Sequence, residues 1–129
     1  MKFAIQINAS PYHSNVGQTA YQFINALLAM GHEVFRVFFY HDGIFYALKH
    51  ATPPDDELQL TQQWSDLAKR HQIDLVVCIS AAQRRGLLYL DEAQRQGKHD
   101  DELAEGFRIS GLGQWVEATL VADRLITFG

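Results

Sequence analysis

The sequence predicts a single α/β domain over residues 1–129, with a central, mostly parallel sheet flanked by helices on both faces. Three observations predict it. Extended apolar runs alternate with helical stripes from one end of the chain to the other. The run Leu75-Val76-Val77-Cys78-Ile79 is apolar throughout, as suits a parallel strand covered on both faces. A length of 129 residues is that of one domain, enough to bury a core without disulfide staples.

Residues 2–8 alternate and stop at Asn8-Ala9-Ser10-Pro11, a strand ending in turn chemistry. Over residues 16–30, Ala20, Phe23, Ile24, Leu27 and Leu28 form the stripe of an amphipathic helix, and Gly31 stops it. Residues 33–40 are β-branched and aromatic, a second strand that His41-Asp42-Gly43 breaks. Residues 44–50 fit a short helix, and 52–57 form a polar loop. Leu60, Trp64, Leu67 and Ala68 mark a second long helix ending near Lys69-Arg70-His71. Residues 75–79 form the third strand, and Ser80 is placed to cap a following turn or helix carrying Arg84-Arg85-Gly86. Residues 91–108 are the most polar stretch, a loop with helical patches that contains Lys98, His99, Asp100 and Asp101. Residues 107–110 fit a very short strand. Residues 111–122 fit a helix with Leu112, Trp115, Val116, Thr119 and Leu120 on one face, and 124–128 a last strand. Trp64 and Trp115 sit at helical spacing with other apolar residues and are expected in the core. No repeat or low-complexity tract interrupts the pattern.

Charge and cysteine content exclude several functions. The net charge is −4 and the pI about 5.8, whereas domains that grip nucleic-acid phosphates carry basic patches. Direct nucleic-acid binding is therefore disfavoured. The single cysteine forbids an internal disulfide and fits a reducing compartment. No apolar run approaches the ~20 residues of a membrane helix, and residues 1–7 lack a signal-peptide core. The expected location is cytoplasmic. The six histidines show no metal-binding spacing, and neither G-x-G-x-x-G, nor a Walker pattern, nor a G-x-S-x-G elbow occurs. No metal and no organic cofactor is expected.

In parallel sheets, chemistry sits at the carboxyl ends of the strands, near a topological switch point. A flavodoxin-like strand order is expected, which would make strands one and three neighbours and place Cys78 in the crevice between their loops. Cys78 has two readings, a small residue packed in the sheet or a nucleophile. A strand-end thiol before a helix N-terminus, with Arg84 and Arg85 one turn later, meets the positive charge that favours thiolate. Lacking a second cysteine in this chain, such a thiol would exchange with partner proteins. The loop Ser10 to Gly17 opens a helix and could cradle a phosphate, but it is without the motif glycines, which favours an ordinary strand–helix loop. His41 and Asp42 could pair as acid and base, although Asp42-Gly43 is a turn signal by itself. The 47% apolar content is high for so small a domain, which suggests that some of it covers a subunit interface.

At this point the residues resemble a known family. Val76-Val77-Cys78-Ile79-Ser80-Ala81-Ala82-Gln83-Arg84-Arg85-Gly86 resembles the active-cysteine segment of the DsrE-type sulfur relay proteins. Phe38-Phe39-Tyr40-His41-Asp42-Gly43, followed by Ala47, resembles their second-strand signature, and Gly111-Leu112-Gly113-Gln114-Trp115-Val116-Glu117-Ala118 with residues 122–129 resembles their carboxyl end. The resemblance implies a DsrE-like domain in which Cys78 accepts sulfane sulfur as a persulfide from a small carrier protein. Cys78 then passes it to the next carrier, in the relay that ends in 2-thiouridine at the wobble position of tRNA. It implies two sister subunits of the same fold in a heterohexamer. Ser80, Arg84 and Arg85 are then candidates to support the charge or dock a partner, and His13 and His41 to handle protons. The alternative is a non-catalytic scaffold or binding subunit of the same fold, with Cys78 buried and unreactive.

Overall fold

The computed structural model describes residues 1–88, 90–98 and 102–129. The elements run β1 (Lys2–Ile7), α1 (Val16–Ala29), β2 (Glu33–Phe39), a 3-10 helix (His41–Ala47), α2 (Leu60–His71), β3 (Asp74–Cys78), α3 (Ile79–Arg84), α4 (Leu90–Arg95), β4 (Phe107–Ser110), α5 (Gly113–Val121) and β5 (Arg124–Phe128). The five strands form one sheet in the order β4-β3-β2-β1-β5, and every pairing is parallel. The α/β class and the helices on both faces agree with the sequence pattern.

The strand order does not. The chain moves steadily one way from β1 to β4, and only β5 returns to the far side of β1. Strands β1 and β3 are therefore not neighbours, because β2 stands between them, and the reversal lies between β1 and β5. Cys78 sits two strands away from that switch point. The physical reason is that periodicity tells an inner strand from an edge strand without naming its neighbour. The apolar β3 is equally buried beside β2 as beside β1, whereas β5, with Arg124 and Thr127 exposed, suits an edge.

The stripe expected on α1 buries Ala20, Ile24 and Leu27. Phe23 meets Phe3 of β1 edge-on, ring centroids 6.3 Å apart. Trp64 of α2 is 1% exposed and stands 5.4 Å from Phe39 of β2, edge to face. These helices cover one face of the sheet. Helix α5 covers the other, with Trp115 5.9 Å from Phe38 and Arg36 donating to the Gln114 carbonyl at 2.8 Å.

Three local expectations are corrected. The short helix begins at His41 rather than Ile44 and is a 3-10 helix. Its Gly43 presses so close to the Ile7 carbonyl that a side chain there would collide with backbone. The residue that caps α3 is Cys78, so Ser80 lies in the first turn. The apolar side of α5 divides: Trp115 is half-buried and Ala118 buried, but Leu112, Val116 and Leu120 are 47%, 56% and 81% exposed. Within the polar stretch, α4 is the helical patch, Glu92 pairing with Arg95 at 2.8 Å. His99, Asp100 and Asp101 lie outside the described residues. Ahead of β4, Leu103 bridges back to Leu48 and the Ala104 amide donates to the Ala47 carbonyl at 2.8 Å. Among the described residues, no helix is long and apolar enough to cross a membrane.

Candidate functional site

Cys78 is the last residue of β3 and the N-cap of α3. The strand runs Asp74–Cys78 because Leu75, Val76, Val77 and Cys78 are all buried, and the chain then turns directly into a helix whose Ala81 and Ala82 pack inward. Its thiol is fully buried. Cys78 Sγ lies 3.4 Å from Ser80 Oγ. On the neighbouring strand the register partner of Cys78 is Ser110, a residue that sequence reasoning passed over. A hydroxyl at the end of a short strand carries no signal until the β3–β4 register is known. A thiol thus sits at the carboxyl edge of the sheet, at the head of a helix, between two serine positions.

The other candidates are dispersed around it. Arg85 is tied down, its Nε donating to Asp42 Oδ1 at 2.9 Å and its Nη1 to the Ala81 carbonyl at 3.1 Å. That ion pair fastens the end of α3 to the start of the 3-10 helix, 43 residues away in sequence. Asp42 therefore faces Arg85 and does not orient His41. His41 is exposed, stacks on the Tyr40 ring at 4.2 Å and adopts a positive φ of 47°. Arg84 is exposed on the outer side of α3, and His13 is exposed in the loop after β1, with β2 standing between that strand and β3. Among the described residues, no group of three or more His, Cys, Asp or Glu side chains could hold a metal ion.

A lone strand-end cysteine on a parallel five-stranded sheet defines a class, and the comparisons name it. Residues 1–128 match the DsrE/DsrF-like family, and the chain belongs to that family. A DsrE protein of Allochromatium vinosum is 51% identical over 129 residues, 100% of this chain and 99% of that protein. A sulfurtransferase TusD homolog of Pseudomonas aeruginosa is 45% identical over 129 residues, covering 100% of this chain and 98% of its own. Another TusD homolog, from Vibrio vulnificus, is 41% identical over 128 residues, 99% of this chain and 98% of its own. The crystal structure of the E. coli YchN protein superposes with a TM-score of 0.81 at 22% identity, covering 99% of both chains. A protein from Methanobacterium thermoautotrophicum has the same fold at a TM-score of 0.62, 17% identity and 97% coverage of both.

Proposed function

We propose that this chain is a sulfurtransferase subunit that carries sulfur on Cys78 as a persulfide. The observation that carries the proposal is the lone thiol at the carboxyl end of β3, capping α3 beside Ser80, in a chain of the DsrE/DsrF-like family. The full-length likeness to sulfurtransferase TusD homologs supports it. In the forward step the Cys78 thiolate attacks the terminal sulfur of a donor persulfide. The new bond is Cys78 S–S, the donor S–S bond breaks, and the donor leaves as thiolate. An acceptor thiolate then attacks the outer sulfur, and Cys78 is returned. The transfer is redox-neutral and calls for no metal or organic cofactor. The amides at the head of α3 and the Ser80 hydroxyl stand where they can hydrogen-bond the sulfur's charge.

Its partners in this reading are a TusA-like donor, a TusE-like acceptor and TusB-like and TusC-like sister subunits in a cytoplasmic heterohexamer, and the sulfur ends in 2-thiouridine at the tRNA wobble position. The exposed Leu112, Val116 and Leu120 of α5 and Leu125 of β5 support a subunit contact, and the net charge of −4 favours protein carriers over a direct tRNA contact. Because the thiol is buried in the isolated chain, docking of a carrier or a local opening near α3 must uncover it. That burial is also the observation that favours the second reading, a non-catalytic scaffold subunit.

Intact mass after incubation with a persulfide-loaded donor separates the two. The sulfurtransferase gains the mass of one sulfur, loses it to a thiol reductant and does not gain it as Cys78→Ser. No gain in the folded, fully assembled complex selects the scaffold.

A further inference from the structure

A cleft of about 220 Å³ lies at the start of α1, between the loop after β1 and the segment entering α2. It includes no residue of β3 or α3. Ser14, Asn15, Gln18 and Tyr46 line one side, with Gly17 just behind them. The Gly17 and Gln18 amides of the first turn of α1 make no hydrogen bond among the described residues, whereas the Val16 amide donates to Ser14 Oγ at 3.1 Å. Asn15, the N-cap, places no side chain over them. Such orphan amides, at the positive end of a 14-residue helix, attract anionic oxygen.

Tyr46 is the second and independent observation. It is 1% exposed, lines the cleft, and its hydroxyl has no hydrogen-bond partner among the described residues. Among the described residues the fully buried side-chain atom without a partner is Gln63 Oε1, so the Tyr46 oxygen keeps an opening onto the cleft. A side chain on Gly17 would collide with the end of the phenol, so glycine at that position is what lets the hydroxyl reach the first turn of α1. Burial, with repulsion from the Tyr12 phenol second, pushes the Tyr46 pKa up to about 12. It keeps its proton and can only gain by donating. Ser14 Oγ accepts from Val16 and has its own hydrogen left to give.

The opposite side of the cleft sets the class of ligand. Glu57 is exposed there, and its carboxylate repels a dianion such as phosphate about twice as strongly as a monoanion. Pro11, Leu58 and Leu60 supply an apolar wall. We propose that this cleft binds a small carboxylate with an apolar body, its oxygens on the Gln18 amide and the Tyr46 hydroxyl at the head of α1 and its body against Leu58. The proposal is independent of sulfur transfer at Cys78.

Amide NMR on the ¹⁵N-labelled full chain tests it, with sodium benzoate, inorganic phosphate and benzyl alcohol as probes. Benzoate is expected to shift the Gly17 and Gln18 amides saturably, with binding weakened about fivefold or more in Tyr46→Phe. Leu58→Asp, at an exposed position that leaves folding alone, is expected to weaken it about tenfold. No saturation by about 20 mM benzoate, equal affinity in the Leu58→Asp variant or in folded Tyr46→Phe, or binding of phosphate or benzyl alcohol as tight as benzoate would each overturn the proposal.

Discussion

On the sheet face under α1 and α2, Phe3, Ile5, Ile7, Val37 and Phe39 meet Ile24, Leu27, Trp64 and Tyr46 in one continuous apolar cluster. Its rings touch edge-on or tilted, as Phe39 does with Trp64, Tyr46 and Phe107. On the face under α5, a single nine-residue helix with one buried residue covers a sheet surface that includes charge. Arg36 Nε donates to Asp74 at 2.6 Å, and its Nη1 reaches Glu117 of α5 at 3.0 Å. Arg108 of β4 grips the same Asp74 at 2.7 Å and 2.8 Å. The first face is held by apolar area, which tolerates no void. The second is held by directional bonds around one carboxylate, and its apolar residues Leu120 and Leu125 remain outside. The face carrying Cys78 is therefore the less finished one in the isolated chain, since Val76 and Cys78 alternate onto the same side as Asp74.

The apolar face is most sensitive at Trp64. Trp64→Ala removes the largest fully buried side chain and is expected to lower unfolding stability by about 3–5 kcal/mol, read as a fall in the urea midpoint. A loss below about 1 kcal/mol would mean that the cluster repacks and that the two faces are not so different. Next in size, Asp74→Ala leaves the buried Arg36 without its strongest partner. The expected loss is roughly 2–3 kcal/mol, smaller than at Trp64 although it severs three elements.

The same carboxylate gives the second face a pH dependence. Burial by itself would raise the Asp74 pKa, but the hydrogen bonds and charges of Arg108 and Arg36 outweigh it and hold it below the usual range. A depressed folded pKa stabilises above the unfolded value of about 3.9. That stability is lost as pH falls through the folded value. Stability should therefore fall below about pH 4, and Asp74→Asn should show a smaller acid-induced drop, checked by urea titrations across that range. An unchanged acid drop would remove Asp74 from the account. The smallest effect on the isolated chain is expected at α5. Leu120→Glu, at 81% exposure, should change stability by no more than about 0.5 kcal/mol, yet abolish association with sister subunits on a sizing column. Full association would move the interface elsewhere.

Local and periodic features were legible in the sequence. The spacing of Ala20, Ile24 and Leu27 buries the face it predicts, and the apolar β3 is buried as expected. The strand end that presents Cys78 was equally legible. What was not legible depends on which strands and loops become neighbours. The Cys78–Ser110 register, the Arg85–Asp42 ion pair and the Tyr46–Gly17 contact each join segments that no local rule connects. The division of α5 was hidden for another reason. Apolar spacing is the same whether a stripe meets its own sheet or faces outward.

The position of β5 has a consequence for how the chain is made. The Asn8 amide donates to the Phe128 carbonyl at 2.9 Å, and the Lys2 amide to Asp123, 121 residues away. Within this sequence, β1 gains its outer neighbour from β5, the strand farthest from it along the chain. Until β5 docks, β1 keeps an open edge while β2 to β4 are being added on its other side. Such a late, distant closure is slow, and an unpaired strand edge is where nascent chains pair with each other. Removing residues 124–129 should accordingly yield a chain that forms most of its helices and still aggregates during synthesis.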